Sequence, residues 1–435
     1  MDAPQPEPPR RKDGAGGIRA FGSRRVAIMV GLGVASALPN SLADSTLATW
    51  MATLKVDLKT IGYFSLVLLP YNIKFLWAPF LDRWRLPILG RRRGWMLAFL
   101  LSAAACVFLL GSSDPLAAPG AVAALALTLA FMGASFDIVN DAYKTDVLRP
   151  QERAAGNAAY TTGWRVALLL TGSVALVLAE WLPWRIIYIG LGCMLIVGVV
   201  CTLIGPEPDK AIAPPRTFLK AVVEPFIDYF RRPRSLVVLG FMLCYSFGDT
   251  IASKMLPVFY YRQVGFRLVE IGTINKITVA TATVVGAVVS AALIARLGFR
   301  KSVLLFGAGA AASNLLYILL DQFGKSYGLL VLAVGVDNLF GGMRSTVMLA
   351  FLTGITNPRF SATQYALFSS ATSVLGRIVA ASSGHVIEAA GWSGFFVLTS
   401  VLAVPALVIF LFVPPSYSPA SAFADEPEPS APDAR

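Results

Sequence analysis

In a chain of 435 residues, a hydrophobic share of 56%, a charged share of 14% and a mean hydropathy of +0.66 exclude a soluble globular protein. The net charge of +12 does not require nucleic acid as a partner, because basic cytoplasmic loops and anionic lipid headgroups account for such an excess in membrane proteins. The composition therefore predicts a polytopic membrane protein.

Apolar segments recur along the whole sequence. About 20 apolar residues cross the hydrocarbon core of a bilayer, and the sequence contains enough such segments to predict an all-α protein with twelve transmembrane helices. The predicted segments are residues 26–50, 60–81, 95–112, 120–143, 156–180, 185–204, 236–260, 270–295, 302–320, 327–354, 362–387 and 393–413.

The stretches outside these segments divide the chain. Residues 1–25 are a basic tail rich in Pro, Gly and Arg, and residues 415–435 are an acidic tail rich in Pro and Ser, so we expect both to be disordered. Residues 206–234 are a predicted cytoplasmic linker, in which apolar residues recur at the spacing of an amphipathic helix. The linker separates two predicted six-helix bundles, residues 26–205 and 235–414.

Most of the 37 Lys and Arg residues fall in the tails and in the even-numbered loops between the predicted helices. Basic residues concentrate on the cytoplasmic side of membrane proteins. This distribution predicts that both termini are cytoplasmic.

The first two predicted helices carry polar residues that lipid would not tolerate. Asn40 and Asp44 follow Pro39, which predicts a break in the first helix that faces a cavity. Tyr71 and Lys74 lie in the second helix. Because ionisable residues within a membrane are costly and retained mainly for function, these residues are candidate substrate contacts, although Tyr71 is equally explained as a packing aromatic.

A charged cluster follows the second predicted helix: Asp82 and Arg83 at its end, then Arg91, Arg92 and Arg93. Excess cytoplasmic charge explains the arginines. The cluster also resembles the loop motif between the second and third helices of the major facilitator superfamily, in which an Asp and basic residues latch two helices and act as a gate. A weaker copy, Arg296, Gly298, Arg300 and Lys301, indicates two related halves.

The fourth predicted helix carries Asp137 and Asp141 on one face, and Lys144 can contact Asp141 one turn away. Both carboxylates are candidate proton-coupling residues. Asp137 is the better candidate because it lies deeper, whereas Lys144 is expected to hold Asp141 charged as part of the gate with the arginine cluster. The alternative is a structural cluster whose charges neutralise one another.

The second half repeats the charges of the first. Asp44 corresponds to Asp249, Lys74 to Lys276 and Arg165 to Arg377. The pair of Asp137 and Lys144 corresponds to the pair of Asp337 and Arg344. Asp337 is therefore a third candidate for proton coupling, and Arg165, Asp249, Lys276, Arg344 and Arg377 are candidate substrate contacts. Asp337 and Arg344 are separated by about 10.5 Å of helical rise, so we expect Arg344 to meet either a substrate carboxylate or an acidic residue on another helix.

Two further side chains have alternative interpretations. Gln364 is a candidate substrate contact or the partner of Ser361 in a helix capping box. His385, the only histidine, is a candidate proton relay or a polar contact between helices.

No motif of an enzyme is present in the sequence. There is no His-Glu-x-x-His, no Gly-x-Ser-x-Gly and no paired cysteine cluster, and one histidine cannot form a metal site. We therefore expect no catalytic residues, no metal and no cofactor. A membrane sensor is disfavoured because no sizeable soluble domain is predicted.

Several runs together resemble the AmpG-type anhydromuropeptide permeases of the major facilitator superfamily: KFLWAPFLDR, GRRRGW, DIVNDAYKTDVL and FSATQYAL, within residues 26–413. The resemblance implies a monomeric importer in the bacterial inner membrane that returns N-acetylglucosaminyl-1,6-anhydro-N-acetylmuramyl peptides to the cytoplasm for peptidoglycan recycling. In some bacteria this flux also governs β-lactamase induction.

The expected mechanism is proton-coupled alternating access around a site at the midplane. The sequence departs from the family pattern at Phe136, where a Gln is expected, and at Ala37, where a Gly is expected. Phe136 is therefore a candidate for altering the range of cargo. The alternative function is a related carrier of another cargo, such as a coenzyme A ester or a drug.

Overall fold

The computed structural model describes residues 23–84, 86, 89–90, 92–149, 152–206, 227–355, 361–414 and 417, and for Asp82, Arg83 and Gln364 it describes the backbone alone. Most of the predicted tails, most of the predicted amphipathic linker and Arg91 lie outside these ranges.

The described residues form helices joined by turns and loops, with no strands among them. The helices are grouped here as α1 to α12, several of which consist of more than one segment. In the first half these are α1 (Arg24–Ala43, Ser45–Thr53), α2 (five pieces from Leu58–Tyr63 to Ala78–Arg83), α3 (Arg93–Gly111), α4 (Pro119–Val147), α5 (Arg153–Leu169, Leu170–Val174, Ala175–Leu178) and α6 (Trp184–Ile204). In the second half they are α7 (Ser235–Cys244, Phe247–Val258, Phe259–Gln263), α8 (Leu268–Glu270, Ile271–Asn275, Lys276–Leu297), α9 (Phe299–Ser313, Leu316–Phe323), α10 (Tyr327–Ile355), α11 (Ser361–Ala380 and 383–390) and α12 (392–401, Val404–Leu411).

Nine helical stretches in the described part of the chain are long and apolar enough to cross a membrane. The other three predicted segments correspond to α2, α10 and the first part of α11. Helix α10 carries Asp337, Asn338 and Arg344 near its middle, and α11 is interrupted by a turn after Ala380. The positive φ of Gly391 separates α11 from α12, so the two final predicted segments are distinct helices.

The predicted break in α1 is confirmed. It lies at Asp44, between Ala43 and Ser45, where φ is −114° and ψ is −96°. The prediction of a continuous second helix over 60–81 is wrong, because α2 consists of short α-helical and 3-10 pieces. Prolines occupy the first turns of the third and fifth pieces, where the missing N–H and the ring of a proline prevent the preceding helix from continuing.

In both halves, arginine side chains bind the backbone carbonyls at the end of the last helix. The final carbonyls of α6 accept hydrogen bonds of 2.6 to 2.8 Å from Arg24 at the start of α1 and Arg93 at the start of α3. The carbonyls that follow α12 accept bonds of 3.2 and 2.7 Å from Arg234, before α7, and Arg300, in α9. Cations stabilise the negative end of a helix. The shared arrangement supports the predicted relation between the two halves.

The halves meet at one side of the molecule. The helices in contact across the boundary are α1 with α7, α2 with α11 and α5 with α8. In α1 the touching segment is Ser45–Thr53, and in α7 the touching segments are Phe247–Val258 and Phe259–Gln263. A continuous apolar core runs from the first half into this part of the second half, and a separate core fills the rest of the second half.

Candidate functional site

A cavity of about 290 Å³ lies at the boundary between the halves, next to the break in α1. Helices α1 and α2 form one wall, and α7 and α11 form the other. Its lining is mostly polar and consists of Asp44, Ser45, Ala48, Ser65, Thr250, Ser253, Lys254, Pro257, Ser373, Arg377 and Ala380.

One ion pair crosses this cavity. The Nζ of Lys254 on α7 lies 2.6 Å from the Oδ1 of Asp44 on α1, and the Lys254 side chain is only 8% exposed. Asp44 is a predicted site residue. Sequence reasoning does not rank Lys254 above the other cations in the membrane, because only the fold shows which acidic residue it meets.

Arg377 is the second cation of the cavity. Its Nε donates a hydrogen bond of 2.9 Å to the Oδ1 of Asn72 on α2, and its backbone carbonyl accepts a bond of 2.9 Å from Ser65. The two terminal nitrogens of its guanidinium have no hydrogen-bond partner among the described residues. This leaves the edge that binds carboxylates in bidentate fashion available.

The balance of charge in the cavity is positive. Among the described lining residues, two cations, Lys254 and Arg377, face one carboxylate, that of Asp44. A third cation, Lys276 on α8, lies against Gly172 of α5 across the boundary between the halves, and it forms no ion pair within the described ranges. Such a cavity suits an anionic ligand, because an uncompensated charge is costly away from water.

Backbone groups close the boundary on one side of the cavity. The guanidinium of Arg262, at the end of α7, donates hydrogen bonds of 2.6 to 2.8 Å to the carbonyls of Met51, Ala52 and Val56 at the end of α1. One side chain of the second half therefore satisfies the end of a helix in the first half.

Side-chain pairs reinforce this closed side. Lys59 pairs with Glu388 at 2.8 Å, and Glu180 pairs with Arg267 at 3.2 Å. His385 lies 3.3 Å from the hydroxyl of Tyr63, so it forms the polar contact between helices that was one of its two interpretations. Each of these contacts joins the first half to the second.

The charged cluster of the first half lies between α1, α2, α4 and α5. Asp137 accepts a hydrogen bond from Ser36 and lies 3.7 Å from the Nζ of Lys74. The hydroxyl of Tyr160 donates to Ser36 at 2.7 Å. Lys144 pairs with Asp141 at 2.9 Å, as the spacing predicts, and also lies over the ring of Tyr160, 3.7 Å from its centroid.

The corresponding cluster of the second half has a different arrangement. Arg344 forms an ion pair with Asp249 on α7, which is the bridge to another helix that the helical spacing allowed. Asp337 accepts hydrogen bonds of 3.0 Å from Ser313 and from Tyr317. Among the described residues no cation lies within ion-pair distance of Asp337.

The predicted gate is described only in part. Arg92 pairs with Asp146 on α4 at 3.2 Å, and Arg93 binds the last carbonyls of α6. Arg91 and the side chains of Asp82 and Arg83 lie outside the described part. Sequence reasoning overlooked Asp146, although an acidic residue five positions after Asp141 could have been considered.

Among the predicted substrate contacts whose side chains the structure describes, Asp44 and Arg377 line the cavity. Lys74, Asp249 and Arg344 lie in the two charged clusters, Lys276 lies against Gly172, and four others lie elsewhere. Phe136 is 1% exposed and packs in the apolar core of the first half, so any influence on cargo would act through the packing of α4. The hydroxyl of Tyr71 is buried without a hydrogen-bond partner among the described residues. Asn40 is partly buried one turn before Asp44, and Arg165 is exposed on α5. The side chain of Gln364 lies outside the described part.

Two helical halves around a charged central cavity, with a broken helix at the cavity wall, define a membrane carrier. The model of the "Major Facilitator Superfamily" matches residues 26–282 and 240–434. A structural relative is the nucleoside transporter NupG, with a TM-score of 0.67 and 15% identity over 90% of this chain and 99% of that one. The D-xylose–proton symporter gives a TM-score of 0.64 and 15% identity over 92% and 98%.

Sequence comparison is more specific. The chain is 41% identical over 396 residues to the "Anhydromuropeptide permease" of Escherichia coli (strain K12), which covers 91% of this chain and 80% of that one. The chain belongs to the major facilitator superfamily and, within it, to the family of the anhydromuropeptide permeases.

Proposed function

We propose that this protein imports anhydromuropeptides from the periplasm to the cytoplasm across the bacterial inner membrane, by alternating access and in symport with protons. The observation that carries the proposal is the 41% identity to a permease named for this cargo. The imported cargo would serve peptidoglycan recycling and, in some bacteria, β-lactamase induction.

The cavity supports an anionic cargo. Muropeptides carry carboxylates, and the cavity has one more positive than negative charge. Arg377 offers the free edge of its guanidinium, and Lys276, which forms no ion pair with the described residues, offers a further cation at the boundary between the halves. Serine and threonine hydroxyls on both walls provide hydrogen-bond donors and acceptors for sugar and peptide groups.

The contacts between the halves support a transport state. With both termini in the cytoplasm, the Arg262 contacts and the Lys59–Glu388 pair close the periplasmic side. On this proposal, the cavity lies on the cytoplasmic side of these contacts and the arrangement is the one that releases cargo. Transport requires that these contacts break as the cytoplasmic side closes.

The geometry of the carboxylates favours Asp137 and Asp337 as proton carriers. A carrier must become neutral during the cycle, and a cation in direct contact opposes this. Asp337 accepts hydrogen bonds from hydroxyl groups, and Asp137 lies 3.7 Å from its nearest lysine. Asp141, by contrast, is held by Lys144 at 2.9 Å and is half exposed.

Proteoliposomes test the proposal. The purified protein is expected to accumulate labelled anhydromuropeptide when the pH is lower on the side from which cargo enters. A gradient of about one pH unit supports about tenfold accumulation if one proton moves with each cargo molecule. Accumulation that persists after addition of an uncoupler would contradict proton coupling, and the absence of any uptake would contradict the cargo.

A further inference from the structure

The side chain of Asp44 has an unusual position. Asp44 immediately precedes the helical segment Ser45–Thr53, at the position where an Asp normally caps a helix by accepting hydrogen bonds from the N–H groups of the first turn. Its carboxylate makes no such bond. Instead it reaches across the cavity to Lys254 in the other half of the protein, at 2.6 Å.

The surroundings of this carboxylate are those of an anion site. Lys254 is almost completely buried, Arg377 lines the same cavity, and Ser45 and Ala48 place the first turn of Ser45–Thr53 along its wall. The start of a helix carries partial positive charge. Three positive elements thus converge on a space that holds the carboxylate of the chain itself.

We propose that Lys254, Arg377 and the first turn of Ser45–Thr53 form a binding site for a carboxylate of the cargo, and that Asp44 occupies this site when no cargo is bound. This inference rests on the proposed function for the identity of the cargo. The cargo carboxylate displaces Asp44 from Lys254, and Asp44 then caps its own helix.

The exchange leaves no charge unpaired. Removing one partner from a buried ion pair is strongly unfavourable because the other charge remains uncompensated. Here one carboxylate replaces another on Lys254, and the released Asp44 gains the N–H groups that it now leaves unused. Both arrangements of Asp44 are therefore stable.

The exchange also changes the contact between the halves. The Asp44–Lys254 pair joins α1 to α7, a few turns from the Arg262 contacts on the closed side. When a cargo carboxylate replaces Asp44 on Lys254, this ion pair no longer joins the two halves of the chain. Cargo thereby weakens a contact that holds the empty carrier in this state, and the loaded carrier interconverts between its two states more readily.

Hydrogen exchange of the protein in lipid nanodiscs tests the inference without cargo. Asp44→Asn retains a good capping residue but loses the charge, and Lys254→Gln removes the other partner. Both variants are expected to exchange the amides of residues 49–56 and 255–266, beyond the capped first turn, at least about fivefold faster than the native protein, the lower end of typical coupling between sites.

The matched control is Asp249→Asn. Asp249 also forms a membrane ion pair on α7, but its partner Arg344 belongs to the same half. This control is expected to leave exchange in residues 49–56 unchanged. Native exchange rates in both Asp44→Asn and Lys254→Gln would overturn the inference, and so would equal acceleration in the control.

A second arm adds anhydromuropeptide and its methyl ester, with binding followed by calorimetry. In the native protein, the free acid is expected to accelerate exchange in residues 49–56, as the Asp44→Asn substitution does, and the ester is expected to bind more weakly and to have less effect. Cargo that binds without changing exchange would overturn the displacement of Asp44 and leave the proposed function intact. Failure of both compounds to bind would overturn the proposed function, while the first arm still decides the role of the Asp44–Lys254 pair.

Discussion

The Gly384→Ala protein is expected to take up cargo about tenfold or more slowly than the native protein. A Cβ atom at Gly384 on α11 would lie 2.1 Å from the carbonyl oxygen of Leu58 on α2. Because the obstructing atoms belong to the backbone, no side chain can move aside. The two helices would have to separate, which would weaken the Lys59–Glu388 pair and the contact of Tyr63 with His385.

The expected size of this effect follows from the cost of overpacking, about 1–3 kcal/mol. A change of about 1.4 kcal/mol shifts a population tenfold, so the state closed on this side would be depleted. The control is Gly190→Ala, which makes the same change in helix α6 where a Cβ meets open space. Uptake of the Gly384→Ala protein at the rate of this control would contradict the role of the α2–α11 contact.

Asp137→Asn is expected to abolish accumulation driven by a proton gradient while it preserves counterflow exchange of cargo. Counterflow requires no net movement of protons, so a variant that cannot exchange a proton can still perform it. Asparagine can accept the hydrogen bond from Ser36 that Asp137 accepts, so the substitution chiefly removes the titratable group.

Asp141→Asn is the matched control, because Asp141 lies one turn away on α4 and pairs with Lys144 at 2.9 Å. It is expected to retain gradient-driven accumulation. The same assay on Asp337→Asn shows whether proton coupling depends on the first or the second half, since Asp337 also accepts hydrogen bonds from hydroxyl groups. Normal accumulation by Asp137→Asn, measured with labelled cargo in proteoliposomes, would assign proton coupling elsewhere.

Much of the fold is predictable because it depends on local properties. Apolar length defines the helices, and Pro39 predicts a break in α1, which the structure places five residues further on, at Asp44. The same local reasoning predicts the Asp141–Lys144 pair, since residues three apart on a helix are neighbours. It also limits the partners of Arg344, because helical rise prevents its pairing with Asp337.

Other parts of the site depend on contacts between distant segments. Asp44 and Lys254 are separated by 210 residues, and no spacing rule relates them. Arg262 binds backbone carbonyls. Because every residue has a carbonyl, the sequence does not indicate which residues accept these hydrogen bonds. Phe136 resembles a cargo contact in sequence, yet helix packing buries it. The pieces of α2, by contrast, have a local signal that the prediction of a continuous helix overlooked, because prolines lie in the first turns of two of the five pieces.

Competition for uptake tests the proposed cargo most directly. Membrane vesicles that contain the protein are supplied with labelled anhydromuropeptide and an excess of unlabelled muropeptide or of a coenzyme A ester, with vesicles lacking the protein as the blank. We expect uptake only in the presence of the protein, with inhibition by the muropeptide and none by the coenzyme A ester. Equal inhibition by both compounds, or uptake no greater than in the blank, would contradict the assignment of this chain as an importer of anhydromuropeptides.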